Sequence, residues 1–285
     1  MPGIKKYPAW EELTFANNFL FCKILESDPE LCRQLLEMLL HVRIEKLSSP
    51  KSEWTMQEGL DAKSVRFDVY TKDENRIFDI EIQTTNQKNL PKRARYYQCI
   101  IDMDNLSHGE KYSRLKDSYV IFLCLEAPFK KRLPVYFFEN TCRGDDKIKL
   151  NDGAYKVFFN ASDYAKMESD EEKNFFKFLA GHEAENELTK SIEEKVIFAR
   201  KNMEWRKQYM TWQQTIDEEK DIAFEEGVRQ GLEQGIAQGL VRGMEQGVYK
   251  KSVEDAKAML ADGMDVNLVA KYTGLPLETI ESELC

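Results

Sequence analysis

The fold is decided by two runs of alternating residues, Val65-Arg66-Phe67-Asp68-Val69-Tyr70 and Phe78-Asp79-Ile80-Glu81-Ile82-Gln83-Thr84-Thr85. Apolar residues occupy every second position of each run, which is the period of a half-buried β-strand. The turn-forming residues Lys72-Asp73-Glu74-Asn75 separate the two runs and predict a β-hairpin. If the turn centres between Glu74 and Asn75, residues whose numbers sum to 149 face each other, as Asp68 and Glu81 do.

The facing pair of carboxylates suggests a metal site. Two carboxylates with Cβ atoms about 5 Å apart repel each other, so a sheet normally avoids this arrangement. A hard divalent cation between Asp68 and Glu81 would make it favourable, and Mg²⁺ is the expected ion because one or two carboxylates, water and a phosphate suffice to bind it. The alternative is the solvated polar face of an exposed hairpin.

The remaining pattern of the first 165 residues is that of a mixed α/β domain. Apolar residues recur with helical spacing from Leu31 to Leu39, after a first helix predicted over 15–25. A polar stretch at 48–63 precedes the hairpin, and a helix containing Pro91–Gln98 follows it. The continuous apolar run Tyr119–Leu125 predicts a buried strand, and two more strands are predicted at 135–139 and 155–159.

The second half of the chain is charged, helical and repetitive. Six glycines recur every fourth residue from Gly227 to Gly247, each followed by an apolar residue. Each glycine costs a helix about 1 kcal/mol relative to alanine, which favours a helix held by self-association or by a partner, with a flexible tether as the alternative. The last residues have a helix-turn-helix rhythm, but acidic residues in the final helix favour a packing role over DNA reading.

Four segments therefore describe the predicted organisation. We expect a mixed α/β core at 1–170, a charged helical region at 171–225, a glycine-repeat helix or tether at 226–250, and a small helical, helix-turn-helix-like tail at 251–285.

Composition excludes several classes of protein. With 42% hydrophobic and 32% charged residues and a net charge of −9, the chain is typical of a globular protein and not of a nonspecific nucleic-acid coat. The amino end has no signal-peptide core and the longest apolar run cannot span a bilayer, so we expect a cytoplasmic protein without a membrane partner. Six cysteines without a C-x-x-C motif and three histidines without zinc spacing leave oxygen atoms as the expected metal ligands.

The hairpin and its flanks resemble a known family. The stretches that carry the resemblance are residues 15–21, 65–70, 79–85, 90–98, 118–122 and 200–209, together with the glycine-repeat tail. They are similar to the Rpn family of recombination-promoting nucleases and transposases, a branch of the PD-(D/E)XK nuclease superfamily. The resemblance implies a restriction-endonuclease-like α/β core, a mixed sheet flanked by helices, with a C-terminal helical extension.

The resemblance also implies roles for individual residues. Asp68 corresponds to the first metal-binding acid and Glu81 to the second, with the Ile82 carbonyl as an additional ligand. Gln83 stands where the superfamily has lysine, and it can orient the attacking water but cannot act as a base. Three residues of the following helix are candidates for contacting the scissile phosphate or bracing the site: Arg93, Arg95 and Tyr97. Asn18 stands where relatives often have aspartate, which predicts weaker metal binding.

These implications define the expected function. The resemblance implies a Mg²⁺-dependent DNA endonuclease associated with recombination or mobile elements. From the glycine repeat we expect a homo-oligomer, a dimer, formed through the C-terminal helical region. The alternative is a noncatalytic DNA-binding or assembly protein on the same fold, because a fold alone does not fix a function.

Overall fold

A computed structural model describes residues 7–56, 65–85 and 88–283. The strands are β1 (Lys51–Met56), β2 (Val65–Lys72), β3 (Arg76–Gln83), β4 (Asp117–Cys124), β5 (Val135–Phe138), β6 (Thr141–Cys142), β7 (Asp145–Lys149) and β8 (Ala154–Asn160). The helices are α1 (Asn18–Ser27), α2 (Pro29–Leu40), α3 (Leu90–Asn105), α4 (Asp170–Leu179), α5 (Glu187–Arg200), α6 (Met203–Ala261), α7 (Val266–Thr273) and α8 (Leu277–Glu283). These elements form two compact units, Met1–Thr211 and Trp212–Cys285.

The first unit is built on a six-stranded mixed sheet with the order β1-β2-β3-β4-β8-β5. Its first three strands are antiparallel, β3, β4 and β8 run parallel, and β5 pairs with β8 in the antiparallel sense. Helices flank this sheet, which confirms the predicted restriction-endonuclease-like α/β fold. A separate two-stranded sheet of β6 and β7 was not predicted from the sequence.

Both faces of the sheet are covered. Phe158 of β8 belongs to a core cluster with Ala94 and Ile101 of α3, so α3 covers one face. The next residue, Phe159, stacks on Phe176 of α4, so α4 covers the opposite face. The polar side of the central strands is therefore buried as well, which explains why β3 has almost no exposed residue.

The helix starts follow local chemistry. The Asn17 side chain accepts hydrogen bonds from the backbone N–H groups of Phe19 and Leu20 and fixes the start of α1. Asp28 caps α2, accepting from Leu31 N at 2.9 Å, and Pro29 occupies the first helical position. The predicted strands and helices of this unit therefore form close to their expected bounds.

The polar stretch at 48–63 contains a strand that was not predicted from the sequence. Its described part contains β1, which pairs with β2 in antiparallel register. β1 is the edge strand of the sheet, and its sequence Lys-Ser-Glu-Trp-Thr-Met lacks the strict alternation of apolar and polar residues that identifies a strand.

The second unit contains the rest of α6 together with α7 and α8. Its small core is formed by four buried residues, Ala256, Val269, Leu275 and Ile280. Gly274, with φ 72°, closes α7 in the left-handed conformation that glycine adopts without strain. The glycine-repeat segment 226–250 is helical and lies within α6.

Two further properties concern the described residues as a whole. No helix among them combines the length and the apolar character needed to cross a membrane. Their cysteines are free: Cys22, Cys32 and Cys124 are buried, whereas Cys99 and Cys142 are exposed.

Candidate active site

The two predicted acids meet where β2 and β3 separate. The backbone pairs between these strands run from Lys72–Ile77 to Val69–Ile80, and all of them sum to 149 as the sequence predicts. Beyond Val69, side chains take over the pairing of the strands. The Asp68 N–H donates to Glu81 Oε1 at 2.9 Å, and the Ile82 N–H donates to Asp68 Oδ2 at 3.0 Å. Each carboxylate thus binds the backbone of the opposite strand.

The alternation of side chains along β2 is interrupted next to Asp68. Phe67 and Tyr70 belong to the same core cluster against α3, although strict alternation would place them on opposite faces. At the same place, Ser52 of β1 pairs with Val69 and Trp54 pairs with Phe67, but the ladder has no pair for Glu53 between them. Glu53 has φ 50°. The Asp68 carboxylate lies within hydrogen-bonding reach of Asn18 of α1.

Asn18 braces Asp68 through its amide. The Asn18 side chain forms a hydrogen bond with Asp68 that lowers the pKa of that carboxyl, so the amide NH₂ is the donor. The amide oxygen of Asn18 accepts from Cys22 Sγ, 3.9 Å away and one helical turn further along α1. The buried thiol fixes which end of the amide faces Asp68.

A third carboxyl group, that of Asp79, lies beside the pair. Asp79 is fully buried two residues before Glu81, and neither of its oxygens has a hydrogen bond of standard geometry to a described residue, although it adjoins Glu81. Burial, followed by the charges of Glu81 and Asp68, raises its pKa well above the usual value. The sequence showed Asp79 only as one polar residue of the alternation, since periodicity does not reveal that α3 covers this face.

Burial raises the pKa values of both acids in the site, Asp68 and Glu81. Burial raises the pKa of Glu81 to about 8, and the Asp68 carboxylate adds to the shift. Burial also raises the pKa of Asp68, against the opposing effects of the Ile82 N–H and Asn18. Carboxyl groups held close together in this way are stabilised by a proton or by a cation.

The donors present fit a hard divalent cation. Asp68 and Glu81 supply carboxylate oxygens, and the Ile82 carbonyl, which accepts from Gln83 Nε2 at 3.1 Å, belongs to the residue directly after Glu81. Within the described ranges, no group of three or more His, Cys, Asp or Glu side chains has a metal-binding arrangement. Two carboxylates with water and phosphate are nevertheless the usual set for Mg²⁺, so the residues fit this ion.

The helix after the hairpin contributes a cation. Arg93 forms an ion pair with Glu81 Oε2, and it donates to Gln83 Oε1 at 3.1 Å and to the Tyr97 hydroxyl at 2.8 Å. Its guanidinium also lies 4.9 Å from the centroid of the Tyr97 ring. Arg93 and Tyr97 share a helix face because they are four residues apart.

Arg95 is placed differently from the other candidates. It is exposed on α3, and no hydrogen bond or ion pair joins it to the described part of the chain. The structure therefore brings together seven of the eight predicted residues and leaves Arg95 outside this group. The seven are Asn18, Asp68, Glu81, Ile82, Gln83, Arg93 and Tyr97.

A comparison with known families places the chain in one of them. A family model described as PD-(D/E)XK nuclease family transposase matches residues 15–227, about three quarters of the chain. The matched segment begins before Asn18 and ends in the glycine repeat, so it includes every residue of the cluster. Neither a curated protein nor a solved structure matches the chain.

Proposed function

Because the chain belongs to the PD-(D/E)XK nuclease family transposases, we propose that it is a divalent-metal-dependent DNA endonuclease acting in recombination or on mobile elements. The observation that supports this proposal most strongly is the reciprocal bonding of Asp68 and Glu81 to each other's strands. It fixes two carboxylates at one point of the sheet through backbone N–H groups. DNA is the substrate class that the family implies, and the cytoplasm is the compartment in which we expect the protein to meet it.

Asp68, Glu81 and the Ile82 carbonyl are the residues that would hold the cation, with Mg²⁺ as the expected ion. When bound, a divalent cation supplies two things, acidification of a water molecule and neutralisation of the charge that develops on the phosphate. The protein's own contribution is to fix the positions of the two carboxylates, because a backbone N–H group holds one oxygen of each acid in place.

Gln83 is suited to orient the attacking water. Its amide both donates and accepts, with Nε2 bonded to the Ile82 carbonyl and Oε1 bonded to Arg93. A glutamine has no basic group, so Gln83 positions a water molecule and does not remove its proton. Arg93 places positive charge beside the reacting phosphate, and the Tyr97 hydroxyl holds Arg93 in that position.

We also propose that the chain forms a homodimer through its C-terminal helical region. At each repeat glycine of α6, the position that a Cβ atom would take faces open space. The apolar residue that follows each glycine is 54–67% exposed. Burying these apolar side chains against a second copy would offset the helix cost of the glycines. A two-fold dimer also suits a nuclease that cuts both strands of a duplex.

Plasmid nicking tests the proposed activity. We expect the full-length protein to nick supercoiled DNA in MgCl₂ and not in EDTA, and Asp68→Asn and Glu81→Gln each to reduce the rate by at least about 100-fold. Glu74→Gln is the matched control, because Glu74 is an exposed acid in the turn of the same hairpin. Absence of Mg²⁺-dependent nicking by wild type, or wild-type rates in both site variants, would leave the noncatalytic alternative.

A further inference from the structure

Both oxygens of the Glu81 carboxylate already have partners. Oε1 accepts the Asp68 N–H, and Oε2 is paired with the guanidinium of Arg93. A divalent cation that binds Glu81 must therefore share or replace one of these partners. The buried backbone N–H cannot be released cheaply, since it would be left without an acceptor.

Arg93 is the partner that can leave. Its side chain is 26% exposed, whereas that of Glu81 is fully buried, so Arg93 lies at the edge of the site. A guanidinium and a divalent cation on the same carboxylate repel each other strongly in a poorly solvated site. Gln83 and Tyr97 also contact Arg93, and these contacts can hold the side chain near the site after it leaves Glu81.

We propose that Arg93 is an internal counter-cation that occupies Glu81 in the metal-free protein and is displaced from it when a divalent cation binds. This inference rests on the proposed function, since it takes Asp68 and Glu81 as the metal site. Arg93 competes with the cation for Glu81, and its release frees a planar guanidinium for a phosphate oxygen. Metal binding thereby creates a phosphate-binding group at the same site.

Calorimetric titration of the full-length protein with MgCl₂ at pH 9.0, above the Glu81 pKa of about 8, tests the competition. We expect Arg93→Gln to bind Mg²⁺ with a Kd at least about tenfold lower than wild type. Arg93→Lys, which keeps the charge, is expected to stay within about threefold of wild type. The matched control is Arg95→Gln, a change of the same charge two residues along α3, which is expected to alter the Kd less than twofold.

The outcomes separate this inference from the proposed function. If wild type binds Mg²⁺, Glu81→Gln abolishes binding, and Arg93→Gln binds no more tightly than wild type, Arg93 is not a competitor while the metal site stands. If neither wild type nor Arg93→Gln binds Mg²⁺, both proposals are overturned.

A second measurement on wild type does not depend on the folding of Arg93→Gln. In protein labelled with ¹⁵N-arginine, the Arg93 Nη2 signal is the one missing from Arg93→Lys, and this group is the one that pairs with Glu81 Oε2. Saturating MgCl₂ is expected to shift this signal and to speed its hydrogen exchange at least about tenfold. A signal that is unchanged at saturation would overturn the displacement.

Discussion

Replacing Glu81 by glutamine is expected to stabilise the metal-free protein at alkaline pH. Glu81 is fully buried, and its pKa is raised in the folded state from the ordinary value of 4.5 to about 8. Between these values the folded state holds a proton that the unfolded chain has lost, so the free energy of unfolding falls as pH rises. The stability that protonated Glu81 provides is complete below about pH 4.5 and is lost by about pH 8.

The magnitude follows from the shift. Each pH unit across this window costs about 1.4 kcal/mol, which gives an upper limit of about 5 kcal/mol for the whole window. The glutamine introduced by Glu81→Gln would mimic the protonated acid at every pH. We therefore expect the difference in unfolding free energy between Glu81→Gln and wild type to grow from about 1 kcal/mol at pH 5 to roughly 3–5 kcal/mol at pH 9.

Urea unfolding in EDTA, followed by tryptophan fluorescence from pH 5 to 9, measures this difference. Trp10 is buried in the first unit and donates to the Arg200 carbonyl at 2.8 Å, so its emission reports on that unit. Adding Mg²⁺ at 100 times its Kd should return about 2.7 kcal/mol to wild type and nothing to Glu81→Gln. Parallel pH profiles for the two proteins, with Glu74→Gln as control, would refute the reasoning.

Three further predictions concern the site and the tail. Gln83→Ala should lower the nicking rate about 10- to 1000-fold while Gln83→Lys keeps measurable activity, and an unchanged rate in Gln83→Ala would assign Gln83 a structural role. Asn18→Asp should lower the calorimetric Kd for Mg²⁺ at least about tenfold by adding a carboxylate beside Asp68, whereas an equal or higher Kd would show that position 18 does not reach the cation. Deleting residues 227–285 should lower the oligomeric state measured by light scattering while nicking by the remaining chain survives, and an unaltered number of subunits would exclude the tail as the dimer contact.

The sequence predicted the hairpin register because it depends on local features. The alternation in β2 and β3 and the turn residues between them determine which residues face each other, and the observed pairs match this expectation. The buried strand β4 was equally visible, because a run of apolar residues is typical of a parallel strand covered on both faces.

Other features of the fold and the candidate site depend on tertiary contacts that the periodicity of the sequence does not reveal. Asp79 looked like an ordinary polar residue, and only the position of α3 over this face makes it a buried carboxyl group. The strand β1, which pairs with β2 on either side of Asp68, lies in a polar stretch for which no strand was predicted. The ion pair of Arg93 with Glu81 joins residues 12 positions apart through the packing of α3 on the sheet. The sequence indicated which residues were candidates, while their mutual contacts came from the fold.

The most direct test of the central claim is to locate the cation itself. Crystals of the full-length protein grown with MnCl₂, a hard divalent ion that takes the same oxygen ligands as Mg²⁺, can be measured at the manganese absorption edge. The account predicts an anomalous peak within about 2.2 Å of one oxygen from each of Asp68 and Glu81. A peak elsewhere, or none at these residues with Mn²⁺ above its calorimetric Kd, would contradict it.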